Sequence, residues 1–128
     1  MIFVLISFAL AIGLADLISV HLFKDVFQRL RPCHNPMIKS LVHTVNGHCG
    51  GQFSFVSSHA ANSFSLAFFS GLLFYKKFKW VMPAMLCWAA LVSYSRIYVG
   101  VHFPADIIIG ATIGSCCGLF ALALVVHV

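Results

Sequence analysis

The sequence predicts an all-α integral membrane bundle of about four transmembrane helices, with a polar site at the outer membrane interface. Three observations carry this expectation. Of the 128 residues 61% are hydrophobic and 9% charged, where soluble domains are about half apolar and about a quarter charged. Met1–Phe23, Trp80–Tyr98 and Pro104–Val128 are each near the ~20 apolar residues that cross a bilayer core, and His59–Tyr75 is a shorter fourth. The polar residues gather where alternate helices end. The length allows one domain, residues 1–128.

The first helix begins within an apolar run that has neither the basic segment nor the small-residue cleavage site of a signal peptide, so it reads as a membrane span. It is expected to continue to about Leu30. Arg31-Pro32 and Asn35-Pro36 then stop it, because proline disfavours helical backbone in the residue before it. Cys33–Ser58 is a polar loop whose glycines, in "HTVNGHCGGQ", mark turns. Ser57 and Ser58 are candidate N-caps for the second helix. Pro83 and Pro104 stand near the first turns of the third and fourth, where a missing N–H costs least.

The tight loop Lys76–Lys79 carries three lysines, which places it on the cytoplasmic side. Helix parity then sets the Cys33–Ser58 loop, Arg96 and His102 together on the outer face. Lys24, Arg29, Arg31, Lys39 and Arg96 lie on that face too. With Lys24, Arg31 and Arg96 taken as ligands, two positives remain there against three in the loop. The net charge of +5 points to an anionic lipid partner, since the positives form no surface stripe suited to nucleic acid.

Three polar groups meet on the outer face. Lys24 and Arg31 are seven apart, so a continuous helix would set them on one side. Ser57, Ser58 and His59 open a helix, where free N–H groups and the helix dipole favour an anion. Arg96 ends one helix and His102 starts the next, with Asp106 four residues on. Arginine forks and a lysine suit phosphate oxygens. The His102/Asp106 spacing lets a carboxylate hold one imidazole nitrogen and present the other as a nucleophile, and His59 is placed to protonate a leaving oxygen.

Lys24-x6-Arg31-Pro32, Ser57-x-His59 and Ser95-Arg96-x5-His102-x3-Asp106 together resemble the type-2 phosphatidic acid phosphatase family, which includes lipid phosphate phosphatases and vanadium haloperoxidase-like enzymes. The middle motif reads Val56-Ser57-Ser58-His59, where that family usually has Pro-Ser-Gly-His. The resemblance implies Lys24, Arg31, Ser57 and Arg96 as phosphate ligands, with the Ser58 N–H donating where the family has glycine. It implies His102 as nucleophile, Asp106 as its partner and His59 as general acid, with no cofactor and no metal. Family members in membranes usually have six helices. This chain resembles the last four, as a fragment lacking the first two would.

Other residues carry plainer expectations. Asp16, about 12 Å along the helix from Lys24, reads as a polar contact inside the bundle, and Asp25 and Arg29 as a surface i,i+4 ion pair. Tyr94 and Tyr98 read as interfacial anchors. Cys87, Cys116 and Cys117 read as small buried hydrophobes. Cys33 and Cys49 bracket the outer loop and would form a disulfide on an oxidising face. The alternative is zinc held with His34, His43 and His48, whose spacing matches no regular finger.

The expected function is hydrolysis of a lipid phosphomonoester or diphosphate through a phosphohistidine, in a bacterial inner membrane with the site facing the periplasm. Undecaprenyl diphosphate stands first among the substrates, ahead of phosphatidic acid, phosphatidylglycerol phosphate and lipid A phosphate. The alternative is a catalytically inactive relative that binds phospholipid or a partner. A transporter is disfavoured because the polar residues gather at one face and not at the midplane.

Overall fold

The computed structural model describes residues 2–127. Four helices form among them: α1 (Ile2–Phe27), α2 (Ser58–Leu73), α3 (Val81–Tyr98) and α4 (Pro104–Val126). α1 and α4 are long and apolar enough to cross a membrane. α2 and α3, with 16 and 18 residues, span about 24 and 27 Å. Large apolar side chains along the outside, among them Leu5, Ile6, Leu91, Ile108 and Phe120, are exposed, as lipid-facing residues are in a helical membrane bundle.

α2 is the central element, packed against the other three; α1 also packs on α4, whereas α3 and α4 barely meet and α1 does not touch α3. Small residues permit this closeness. A Cβ on Gly110 would lie 2.7 Å from the Ser57 carbonyl oxygen, and Cβ atoms on Gly114 and Gly118 would collide with the Ala61 and Ser65 main chain. The four-residue spacing gives α4 one bare stripe, on which the α2 backbone lies. Without a strong hydrophobic drive inside a bilayer, such dispersion contacts hold helices together. Ser65 Oγ donates to Ala11 O at 3.0 Å, tying α2 to α1.

The structure corrects two expectations about α1. It widens to π geometry over Ile18–Lys24 and ends at Phe27, because Gln28 turns left-handed at φ 47°. Arg31 is therefore extended, at φ −61° and ψ 153°, and shares no helix face with Lys24. Leu30 instead bridges to Phe53, and Arg31 N donates to Gln52 O at 3.1 Å. The loop's return brings Arg31 to the site.

Cys33 and Cys49 form a disulfide with a Cα–Cα distance of 5.9 Å. It takes both thiols on which the zinc alternative rested. A further correction concerns the helix cysteines: Cys117 is buried as expected, but Cys87 and Cys116 are exposed on the lipid side. Tyr94 and Tyr98 are exposed as well.

Candidate active site

The ends of α1, α2, α3 and α4 that carry Lys24, Ser58, Arg96 and Asp106 lie together, at the pole opposite the lysine loop. α2 starts there because Ser57 is a working N-cap: extended itself, it accepts from Ala60 N at 3.3 Å. Ser57 N in turn donates to Asp106 O at 3.1 Å. The Ser57 oxygen thus accepts within its own helix, and the residue is fully buried. The backbone N–H groups of Ser58 and His59 find no acceptor among the described residues; they form an open helix N-terminus.

Lys24 reaches across to the same turn. Its Nζ donates to Ser58 Oγ at 2.9 Å, and Ser58 Oγ lies 2.8 Å from Ser19 Oγ, which donates to Asp16 O at 2.9 Å. Since the Ser19 proton is committed, the chain runs one way, from ammonium to Ser58 to Ser19 to the α1 carbonyl. Asp16 sits one turn below Ser19, the last hydroxyl of this chain, which bonds its main-chain oxygen.

Asp106 organises the opposite wall. Its side chain is 0% exposed. One oxygen, Oδ2, accepts from Phe103 N at 2.8 Å and faces His102 Nδ1 at 3.5 Å; the other, Oδ1, faces Arg29 Nη1 at 3.4 Å. The 3.5 Å separation is longer than a formed hydrogen bond. His102 Nδ1 is buried without a hydrogen-bond partner, and the Asp106 carboxylate is the acceptor beside it. Burial holds the His102 imidazole below its ordinary pKa, with Asp106 pulling the other way, so the ring is neutral at neutral pH.

Arg29 was missed as a site residue. Asp25, its expected partner, pairs with His21 at 3.1 Å, while Arg29 lies 4.2 Å over the Phe103 ring and turns to Asp106. The i,i+4 spacing needed a helix through Arg29, and the helix has ended by then.

Arg31, His59, Arg96 and His102 line one cavity of about 340 Å³, closed on the loop side by Asn46, His48 and Gly50. Arg31 is held by Nη1 to Cys49 O at 2.7 Å and by Nε to Phe53 O at 3.2 Å. The disulfide therefore fixes the carbonyl that aims the guanidinium. Burial, and after it the neighbouring Arg96 charge, push the Arg31 pKa down. Arginine stays charged regardless, so this cavity attracts an anion. Among the described residues no three His, Cys, Asp or Glu side chains converge as metal ligands.

The fold is a helical membrane bundle whose outer pole holds a histidine beside a buried carboxylate and a cluster of arginines, a donor set whose chemistry suits phosphate oxygens. The chain belongs to the PAP2 superfamily, whose family model matches residues 4–127. It is similar to the lipid A 4'-phosphatase of Porphyromonas gingivalis, 41% identical over 119 residues that cover 92% of this chain and 49% of that protein. Its similarity to the lipid A 4'-phosphatase of Bacteroides thetaiotaomicron is 44% over 111 residues, covering 85% and 48%. An undecaprenyl-diphosphatase of Sulfolobus acidocaldarius matches at 54% over 37 residues, 29% of this chain and 18% of that protein. The chain spans about half the length of the first two curated relatives. No solved structure matches.

Proposed function

We propose that this chain carries the catalytic half of a membrane lipid phosphatase working through a phosphohistidine. The observation that carries the reading is the buried Asp106–His102 pair, flanked by Arg29 and opening on a cavity lined by Arg31, Arg96 and His59. Phosphate oxygens lie between the two guanidiniums and the free N–H groups of Ser58 and His59, with the Lys24 charge behind them. The unprotonated nitrogen of His102 attacks phosphorus while the P–O bond to the leaving alcohol breaks. His59 gives its proton to the departing oxygen. Asp106 and Arg29 then hold the imidazole that carries the phosphoryl group. Water, deprotonated by His59, attacks the phosphohistidine, and inorganic phosphate leaves with His102 restored. Fixed positive charge aimed at the phosphoryl oxygens supplies most of the acceleration.

The substrate reading moves from the one expected first. The relatives named lipid A 4'-phosphatases match most of the chain, whereas the undecaprenyl-diphosphatase matches a short part. This favours lipid A phosphate over undecaprenyl diphosphate. The disulfide on the site's own loop supports an oxidising compartment, hence a bacterial inner membrane with the site facing the periplasm.

Phosphate release by detergent-purified protein tests the reading, with lipid A phosphate, undecaprenyl diphosphate and phosphatidic acid, in EDTA, beside His102→Ala. EDTA-resistant release that the substitution abolishes is the expected result. Lipid binding without release by the folded protein would refute it in favour of a non-catalytic binder.

A further inference from the structure

A second cavity, about 330 Å³, opens beneath the first, and the two share His59 as a wall. It lies over α2 in the gap where α1 and α3 do not meet. Ser58, Asp16 and Asn62 border its upper part, and Leu66 and Trp88 its deep end. Asp16 is one helical turn below Ser19 on α1, and Asn62 one turn below Ser58 on α2. The Ser19–Ser58 hydrogen bond sets those two residues level, so Asp16 and Asn62 form a matched layer about 5 to 6 Å deeper.

This layer offers acceptors with nothing to accept from. Asn62 Oδ1 is buried and has no partner. The Asp16 carboxylate makes no ion pair among the described residues, and Ser19 bonds its main-chain oxygen, not its side chain. A carboxylate in an apolar span is costly and marks a site by default. Ser63, the other hydroxyl there, back-bonds to His59 O at 2.7 Å and offers no proton to either acceptor.

His59 is the group that protonates the departing oxygen, so whatever that oxygen belongs to must extend past His59. We propose that the second cavity is the leaving-group subsite, and that it selects an alcohol carrying its own hydrogen-bond donors followed by an apolar chain. This inference rests on the phosphatase reading and deepens it. Hydroxyl or amide N–H groups next to the phosphate satisfy Asp16 and Asn62, and the chain lies on Leu66 and Trp88. A sugar-headed lipid phosphomonoester has that chemistry, and so does a long-chain amino-diol phosphate. The diacylglycerol of phosphatidic acid has no such donor. The leaving phosphate of a prenyl diphosphate is repelled by Asp16.

The test measures kcat/KM in mixed micelles on three lipids: a glycolipid phosphorylated on a sugar hydroxyl, a long-chain 2-amino-1,3-diol 1-phosphate, and phosphatidic acid. The wild type prefers the first two, and the size of each preference tells sugar from amino-diol. Asp16→Ala and Asn62→Ala each lower that preference over phosphatidic acid about 10-fold or more. Asp16→Asn, which keeps an acceptor at an exposed position, retains part of it; a merely structural role would not follow acceptor chemistry. Equal losses on all three lipids, no loss, or a wild type that prefers phosphatidic acid overturns the inference. If nothing is hydrolysed the phosphatase reading fails separately. Equilibrium binding of the same lipids then decides the subsite, since equal affinity for all three would overturn it.

Discussion

Removing Arg29 should destabilise the protein through Asp106, and a double-mutant cycle can isolate that link. Asp106 is 0% exposed and its Oδ1 lies 3.4 Å from Arg29 Nη1, whose side chain is 41% exposed. Unit charges about 4 Å apart attract by about 4 kcal/mol at an effective permittivity of about 20. Water around the half-open guanidinium screens roughly half of that, leaving about 2 kcal/mol. The stacking of Arg29 on Phe103 adds about 0.5 to 1 kcal/mol. Arg29→Ala therefore costs about 3 kcal/mol, since the carboxylate it abandons has no route to water. Asp106→Asn costs less, about 1 to 2 kcal/mol, because its amide oxygen still accepts from Phe103 N while Arg29 hydrates. The double variant should lose only about 3 kcal/mol, a coupling of about 1 to 2 kcal/mol. Reversible unfolding in mixed detergent micelles measures all four proteins. Single costs that simply add, with coupling below about 0.5 kcal/mol, would refute the reasoning. The surface pair expected from spacing makes the opposite forecast, coupling between Arg29 and Asp25. The structure predicts none, because Asp25 is engaged with His21.

Four further outcomes follow from particular residues. Gly114→Val puts a Cβ into the Ala61 main chain and should cost about 3 kcal/mol or more in the same unfolding assay. Gly13→Ala, facing open space, should stabilise by up to about 1 kcal/mol. Gly50 sits at φ 71° with its Cβ position 2.6 Å from Arg31 Nη1; Gly50→Ala should displace the guanidinium and raise KM for the lipid phosphate about 10-fold, a loss of one charge-assisted contact. The lowered pKa of His102 means the unfolded chain takes up its proton first as pH falls. Its contribution to stability is full above the ordinary imidazole value and is lost as pH drops through that value to the depressed native one. Thermal unfolding from about pH 8 to about pH 5 should show this slope, and His102→Gln should flatten it.

What the sequence by itself determined is everything that depends on local chemistry and on chain order. Apolar runs separated by turn residues set the four helices, with α2 capped at Ser57 and α4 opened by Pro104, because each signal acts within a turn of itself. Helix parity put Lys24, His59, Arg96 and His102 at one pole, since alternate helix ends must return to the same side. The cysteines at 33 and 49 were legible as a pair by position alone, though zinc remained open until their side chains were seen joined.

Tertiary structure decided which groups meet, because contacts between elements depend on exit angles and on close approach. A left-handed residue at Gln28 ends α1 early, so Arg31 arrives through the loop and Arg29 reaches the buried Asp106, neither of which an i,i+4 or i,i+7 count can see. Ser57 read both as a cap and as a ligand; the structure shows the cap, and a hydroxyl that accepts from Ala60 N keeps its own proton to donate. The bare stripe of Gly110, Gly114 and Gly118 took its meaning from the partner it meets. The backbone of α2 fills it, leaving α1 and α3 apart and the second cavity, with Asp16 and Asn62, open between them.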